Sequence, residues 1–242
     1  MFAEKLGYLE GGSETLVRGL TDGIASAGGK VLCGTPAIKV VTAEGRVTGV
    51  QTPSGLVAAD QVISTVPTKL VSRLVPDLPA EWRARYDEIE NMGVCCLVFK
   101  LRRSVSPHFW VNITDPSIPI PGIIEFSNLR EFDDTIVFVP YYMPISHERW
   151  GWTDDQLIAE AFAALQKINP ALVLEDCADT RVARLKYAQP VYVRDFAKKI
   201  PPIQTPIAGL QVADTCFYYP EDRGVSESVR MGRTMADNLV PA

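Results

Sequence analysis

The chain has 242 residues, of which 47% are hydrophobic and 22% are charged, a composition typical of globular proteins. This length is enough for one large domain or two small ones. The net charge of −5, without a basic patch, argues against a nucleic-acid partner. No apolar run approaches the ~18–20 residues that span a bilayer, and no signal-peptide core follows Met1–Lys5. We therefore expect a cytoplasmic protein without a membrane span.

Cysteine and histidine usage excludes several chemistries. The five cysteines are odd in number and lack C-x-x-C spacing, which favours free thiols in a reducing compartment. Cys95 and Cys96 adjoin each other in an apolar run and should point to opposite faces of a strand. His108 and His147 lie outside metal-ligand patterns, so no metal site is expected. The sequence also lacks the G-x-S-x-G turn of a serine hydrolase.

The first third of the chain predicts a helix, a β-meander and a buried strand. Ser13 is the expected N-cap of a helix that runs to Ala27 and ends at two glycines, residue types suited to these positions. The residues that follow are rich in β-branched side chains and turn signals. The predicted strands are Val31–Cys33, Ala37–Thr42, Arg46–Thr52, Leu56–Ala59 and Gln61–Val66, the last stopped by Pro67.

The middle of the chain predicts a mixed sheet with one long helix. Thr153 caps that helix, Gln156–Lys167, which Pro170 stops. Aromatic residues concentrate in this part, and most should belong to the core while some line a substrate pocket, with 187–190 as the first candidate wall. The other predicted elements are helices at Thr68–Leu74 and Ala80–Glu90, strands at Gly93–Leu101, Ile123–Ser127, Thr135–Tyr142 and Arg181–Tyr187, and an extended, proline-rich return to residue 206.

The closing stretch predicts a strand followed by a helix. Ala208–Asp214 is a short apolar strand that ends on a carboxylate, and 225–238 is helical. One stripe of this helix is small or apolar and should pack closely on a sheet, and its first turn offers unpaired N–H groups to anionic or carbonyl oxygens. The stripe comprises Val225, Val229, Gly232 and Ala236. The arrangement predicts a ligand cradle.

Two groups of motifs carry a family resemblance. The first is the strand ending in Ala213-Asp214 together with the run from Arg223 to Val229. The second comprises 8–16, 27–31, Pro36-Ala-Ile38, 45–50 and Val62-Ile-Ser-Thr-Val-Pro67. In this order they resemble FAD-dependent amine oxidase-like enzymes, which include protoporphyrinogen oxidases and phytoene desaturases. The match covers roughly the first seventy and the last forty residues.

The resemblance implies an FAD site in the first and last parts of the chain. The segment that contains Ala37 and Ile38 would lie over the adenine, mostly through its backbone. Thr65 and Pro67 would lie near the dinucleotide, at the carboxyl end of a strand. An alternative interpretation is that these residues are ordinary strand ends.

The same resemblance assigns roles near the C-terminus. Asp214 would hydrogen-bond the ribityl or pyrophosphate region, or it is only a loop carboxylate. Arg223 would contact phosphate or flavin oxygens, or pair with a neighbouring carboxylate. The helix start at Gly224, Val225 and Ser226 would face the cofactor.

The expected fold class is α+β, derived from an α/β fold. It combines an incomplete FAD-binding domain (1–68 and 206–242; helix, β-meander and terminal βα unit) with a mixed-sheet, substrate-binding domain (69–205). The G-x-G-x-x-G motif of the family's first βαβ unit does not occur in these 242 residues. We therefore expect the C-terminal part of a flavoenzyme, which alone binds FAD weakly or not at all.

The expected activity is hydride transfer from an apolar or amine-like small molecule to FAD, for which the sequence singles out no catalytic residue. The resemblance implies a lysine near the flavin in the strand that matches Gly93–Leu101. The best match to its position here is Cys95, and Lys100 lies further along. The lack of a lysine at this position weakens the case for amine oxidation. The alternatives are a non-catalytic binding or assembly module and a mutase-type flavoprotein that acts on a sugar nucleotide. An N-terminal partner half or a homo-oligomer would cover the apolar edges left by the missing unit.

Overall fold

The computed structural model describes residues 7–239, so the outer ends of the predicted FAD-binding portion, 1–6 and 240–242, lie outside the described residues. The described chain forms two compact units, which we name the sheet unit (7–32 and 93–185) and the meander unit (33–92 and 186–239). Their boundaries differ from those of the predicted domains. Which part holds a cofactor and which a substrate stays a prediction.

The described residues form ten strands and six α-helices. The strands are β1 Lys39–Ala43, β2 Arg46–Thr52, β3 Gly55–Ala58, β4 Val62–Ser64, β5 Asn91–Leu101, β6 Trp110–Asn112, β7 Gly122–Glu125, β8 Thr135–Met143, β9 Cys177–Pro190 and β10 Leu210–Val212. The helices are α1 Ser13–Ser26, α2 Val71–Leu74, α3 Ala80–Asp87, α4 Asp154–Ile168, α5 Phe196–Lys199 and α6 Val225–Asp237. Most predicted elements are present within a few residues of their expected bounds.

A five-stranded sheet with the order β6-β7-β8-β5-β9 forms the sheet unit. Strand β5 runs antiparallel to β8, and alternate β5 residues face the core, so Cys95 is buried while Cys96 points to the other face, as predicted. Helix α4 covers the core face. Its buried side chains are Leu157, Ala161, Phe162, Ala164 and Leu165.

The two long helices of the sheet unit begin differently. Helix α4 has the predicted cap: Thr153 Oγ1 accepts from Gln156 N at 3.3 Å, and Gln156 Oε1 accepts from Thr153 N at 2.9 Å. The N-cap prediction for α1 was wrong, because Gly12 is the N-cap and Ser13 is already helical, with no side-chain cap. The predicted glycine stop is present, since Gly28 has a φ of 80° in the left-handed region.

The meander unit contains two small sheets. Strands β1, β2 and β3 form the predicted antiparallel meander, with a tight turn at Glu44-Gly45 where both residues have positive φ. Strands β4 and β10 pair in parallel, with Val62 opposite Leu210. A cluster of buried apolar residues, among them Val40, Tyr86 and Val212, holds this unit together.

Three predictions for the first and last parts of the chain were wrong. The run Val31–Cys33 forms no strand and is exposed, because three apolar residues between Gly29 and Gly34 find no strand partner. The proline-rich return includes a helical turn, α5, anchored by the buried Phe196. Helix α6 packs through Met231 and Met235, whereas the predicted stripe is turned outward.

No helix within residues 7–239 combines the length and apolar character that crossing a membrane requires. All five cysteines are free thiols: Cys33 is exposed, Cys95 and Cys216 are buried, and the other two lie between these extremes.

Candidate functional site

The carboxyl ends of β4 and β10 lie side by side in the meander unit. The parallel register places Ser64 opposite Val212, so the segments that follow, with Thr65 and Asp214, leave the sheet at the same edge. Ligands of open α/β sheets bind at this edge. The resemblance assigns both 65–67 and Asp214 to a cofactor site, and the structure places them at the same edge of the sheet; their role in binding stays a prediction.

Asp214 ties the two segments together. Its Oδ2 accepts from the backbone N–H of Thr68 at 2.6 Å, and its Oδ1 accepts from Cys216 N at 2.9 Å. Burial, followed by the Asp214 charge, raises the pKa of the Cys216 thiol. The Asp214 carboxylate therefore links the segment after β4 to the segment after β10. It also caps the short 3₁₀ turn that follows it.

Two hydroxyl groups near the Asp214 carboxylate have no hydrogen-bond partner among the described residues. Ser64 Oγ and Thr68 Oγ1 are buried, and Thr68 is the residue whose N–H binds Asp214. Buried hydroxyls are normally hydrogen-bonded, to protein or to something bound. The edge of the sheet therefore retains hydrogen-bonding capacity for a polar ligand or for water.

A cavity of about 390 Å³ opens beside the same segment. Ala37, Ile38 and Val66 line it, so the structure brings the predicted adenine segment next to the predicted strand end. Ile38 N donates to Gln51 O at 2.8 Å, which extends the meander to the cavity wall. Leu70, Arg73 and Leu74 complete the lining. The sequence analysis did not identify Arg73. The sequence shows it only as a positively charged residue in the predicted helix Thr68–Leu74, which follows Pro67.

The remaining predicted site residues lie at the start of α6. The Arg223 guanidinium donates to the Ala188 carbonyl, and the Arg223 N–H donates to Asp222 Oδ1 at 2.8 Å. Gly224 is the N-cap without a side-chain cap, and Val225 and Ser226 are exposed. The first turn of α6 therefore presents N–H groups that no side chain caps.

A second cavity, of about 410 Å³, lies on the open face of the five-stranded sheet. Its lining is largely apolar and includes Cys96, Trp110, Phe138 and Tyr142. Burial raises the pKa of the Cys96 thiol, so this group stays protonated at neutral pH. Asn112 contributes polarity and accepts from Trp110 Nε1 at 2.8 Å. An apolar or aromatic small molecule fits such a surface.

Three positions singled out in the sequence do not line this cavity. The segment 187–190 is not part of the lining of this cavity. Cys95, which the resemblance matches best to the position of a lysine in relatives, is buried in the core on the other face of the sheet. Lys100 pairs with Asp134 at 2.7 Å, which raises the pKa of its amine and keeps it charged.

Another cavity of the meander unit, of about 590 Å³, has a different setting. It lies at the amino ends of β4 and β10, where Asp60, Gln61 and Gly209 line it. The amino edge of a parallel sheet is not where ligands of such folds bind. We therefore take the carboxyl edge, with the 390 Å³ cavity, as the candidate site.

Comparison with protein families identifies the chain. The family model described as flavin containing amine oxidoreductase matches residues 1–218. This is most of the chain, so the protein belongs to the flavin containing amine oxidoreductase family, and the resemblance in the sequence is confirmed. A search of curated proteins gave no match.

Solved structures with similar folds include the three that follow. A protein from Exiguobacterium sp. 255-15 assigned as a protoporphyrinogen oxidase is 18% identical, with a TM-score of 0.77. Putrescine oxidase bound to putrescine is 17% identical, with a TM-score of 0.67, and reduced UDP-galactopyranose mutase is 16% identical, with a TM-score of 0.63. At these identities the likeness shows the fold alone.

The chain spans about half of the length of these structures. The matches to the Exiguobacterium protein and putrescine oxidase cover 95% and 94% of this chain but 51% and 52% of theirs. For the mutase the shares are 78% and 42%. The solved proteins therefore contain this fold together with a similar length of additional polypeptide.

Proposed function

We propose that this chain is the C-terminal part of a flavin-dependent oxidoreductase that removes a hydride from an apolar or amine-like substrate. Membership of the flavin containing amine oxidoreductase family supports this proposal. The observation that carries it is the cavity in which Ala37 and Ile38 meet Val66, just beyond the carboxyl end of β4. This is the place where the resemblance expects the cofactor's adenine.

The residues at this edge fit FAD in their chemistry. Ala37 and Ile38 offer an apolar wall and a fixed backbone, and Arg73 offers a positive charge to phosphate. Thr65, Pro67 and the buried hydroxyls of Ser64 and Thr68 lie at the strand end. When bound, FAD supplies the group that accepts the hydride, and the protein supplies its orientation.

The C-terminal residues complete the proposed cofactor site. Each carboxylate oxygen of Asp214 binds one N–H and retains capacity to accept from a ribityl hydroxyl. Gly224, Val225 and Ser226 supply the uncapped N–H groups of α6, which favour an anion. The hydrogen bond from the Arg223 guanidinium to the Ala188 carbonyl holds the residue that directly precedes Gly224.

The substrate would occupy the cavity on the open face of the five-stranded sheet. Trp110, Phe138 and Tyr142 exclude water from an apolar molecule, and the protonated Cys96 thiol adds no charge. No residue of this cavity is assigned an acid–base role. Because the family lysine is replaced by the buried Cys95, we expect apolar substrates to be favoured over amines.

A flavin titration tests this proposal. The 242-residue chain is co-expressed with the part of the Exiguobacterium protein that it does not match, and FAD binding is followed by flavin fluorescence. We expect Ala37→Phe, which fills the cavity, to weaken FAD binding at least tenfold. Ala58→Phe makes the same change on an exposed position of β3 outside the cavity lining and should leave binding within twofold.

The outcomes separate the candidate functions. Anaerobic loss of the flavin's visible band with putrescine or an apolar reduced substrate supports the oxidoreductase, whereas turnover of UDP-galactopyranose without net oxidation supports the mutase alternative. Equal FAD affinity in Ala37→Phe and the parent contradicts the proposed site. The absence of FAD binding with and without the added half favours the non-catalytic assembly module. We expect the chain alone to bind FAD weakly, because it lacks the glycine-rich turn.

A further inference from the structure

Three buried polar side chains of the meander unit lie close to Asp214. They are Thr68, Tyr86 and Cys216, each 0% exposed, and we name them the inner cluster. Thr68 begins the 3₁₀ turn that follows Pro67, Tyr86 lies in α3, and Cys216 lies in the 3₁₀ turn after β10. The backbone N–H groups of Thr68 and Cys216 donate to the two oxygens of Asp214 at 2.6 and 2.9 Å. Two members of the inner cluster therefore hold the carboxylate through their backbone.

The charges and dipoles of these groups act on one another. Burial raises the pKa of the Tyr86 phenol, and Cys216 and Asp214 add to the rise. Burial, followed by the Asp214 charge, raises the pKa of the Cys216 thiol, and the Thr68 hydroxyl acts against that rise. The side chains of Tyr86 and Cys216 therefore stay neutral at neutral pH, and Tyr86 completes the inner cluster from α3.

Both hydroxyl groups of the inner cluster lack a hydrogen-bond partner within residues 7–239. Tyr86 Oη and Thr68 Oγ1 are buried atoms to which no described residue donates or accepts. A hydroxyl left unsatisfied in this way lowers the folding equilibrium constant by about 5- to 150-fold. Buried hydroxyls are nearly always bound to protein or to an ordered water molecule. Two such groups in one cluster therefore indicate a small molecule bound between them.

The chemistry of the inner cluster selects that molecule. It is small, because none of the three side chains reaches solvent. It is uncharged, because neither Tyr86 nor Cys216 carries a charge to balance an ion. It both donates and accepts, because each hydroxyl can do either. A water molecule has these properties, and buried water typically makes about three hydrogen bonds to groups that are otherwise unsatisfied.

We propose that one water molecule is bound between Tyr86 Oη and Thr68 Oγ1, and that Tyr86 is, through this water, a positioning residue for Asp214. The water links α3 to Thr68, the residue whose N–H holds the carboxylate. The Cys216 thiol is a weak third partner. That Asp214 faces a cofactor rests on the proposed function, whereas the water and its effect on Thr68 do not.

The first test is a pair of deletions in the 242-residue chain without flavin, measured by urea denaturation. Tyr86→Phe keeps the ring beside Trp82, whose centroid lies 6.5 Å away, and removes the hydroxyl. Loss of a satisfied hydroxyl lowers the folding equilibrium constant by about fivefold, whereas loss of an unsatisfied one raises it. We expect the fall, and a fall of similar size in Thr68→Val. The sign of the change therefore decides between the two states of the hydroxyl.

The double variant tests whether the two hydroxyls share one water. Because both bind the same molecule, the combined loss should be at least about threefold smaller than the product of the single losses. Tyr218→Phe is the matched control, since this buried hydroxyl donates to Ser228 Oγ at 3.1 Å. Its loss should multiply with that of Thr68→Val to within about twofold.

Hydrogen exchange tests the positioning role. The Thr68 amide donates to Asp214 Oδ2, and the Val47 amide donates to Ala208 O at 2.9 Å in the same unit. In Tyr86→Phe, the Thr68 amide should exchange at least about threefold faster relative to the Val47 amide, because local opening at Thr68 becomes easier. A merely structural loss would accelerate both amides equally.

The contrary outcomes are distinct. A rise in stability in Tyr86→Phe, or losses in Tyr86→Phe and Thr68→Val that simply multiply, would overturn the shared water. Equal acceleration of the Thr68 and Val47 amides would overturn the positioning role. The proposed function fails separately, because a co-expressed complex that takes up no FAD changes none of these measurements.

Discussion

Helices α4 and α1 of the sheet unit are nearly equal in length, with 15 and 14 residues, yet they stand in different environments. Helix α4 buries five side chains and begins with a capping box, whereas α1 buries none and has no side-chain cap at its start. Both carry an apolar stripe in the sequence: in α1, Val17, Leu20 and Ile24 are 51%, 57% and 43% exposed. An apolar stripe in the sequence therefore does not by itself show that a helix is packed within its own unit.

The largest expected contrast comes from the same substitution in both helices. Leu157→Ala in α4 removes a fully buried side chain and should lower the free energy of unfolding by about 3–5 kcal/mol. Leu20→Ala in α1 should change it by less than about 0.5 kcal/mol, because this side chain is already exposed. Urea denaturation measures both. Equal losses would mean that α1 is packed as firmly as α4.

The caps should differ by a smaller amount. Thr153→Ala removes the side-chain half of the α4 capping box and should lower the free energy of unfolding by about 1 kcal/mol. Ser13→Ala in α1 is the matched control and should have an effect close to zero, since Ser13 is not the cap. Urea midpoints with equal slopes check this pair. A loss of similar size in Ser13→Ala would contradict the observed start of α1.

The smallest effect is a pH dependence beside α4. Burial, followed by the neighbouring Glu160 charge, raises the pKa of Tyr141, whereas the unfolded phenol ionises near its ordinary value of 10.0. The stabilisation is complete below that value and is lost as the pH rises. Between about pH 8 and about pH 10.5 the parent should lose roughly 0.8 kcal/mol more than Tyr141→Phe. Urea midpoints of the two proteins that fall in parallel would exclude this role for Tyr141.

Local signals predicted much of the fold. The Thr153 cap and the glycine stop at Gly28 each depend on residues next to each other in the chain, and each is present. The packed side of α6 was predicted wrongly, because two of its stripes are apolar and the sequence does not reveal which one a neighbour covers. The short helix α5 was missed because tertiary burial of Phe196, rather than local propensity, stabilises it.

The candidate site was predictable to a similar degree. The resemblance brought together Ala37, Ile38 and the strand end, and the structure places Ala37 and Ile38 around one cavity with Val66, which lies between the named Thr65 and Pro67. Their role in cofactor binding stays a prediction. It did not identify Arg73 or the unpartnered hydroxyls of Ser64 and Thr68, because their significance depends on burial and on contacts across the fold. Nor did spacing alone distinguish Cys95 from Cys96, which differ only in the face of β5 that each occupies.

The exposed thiol of Cys33 has a practical consequence. Because this sulfur reaches solvent more freely than the other four, air oxidation would join two molecules through it and produce covalent dimers during storage. A reducing buffer, or Cys33→Ser, therefore belongs in every mass determination. The same thiol also provides a site at which one fluorophore can be attached ahead of the buried cysteines.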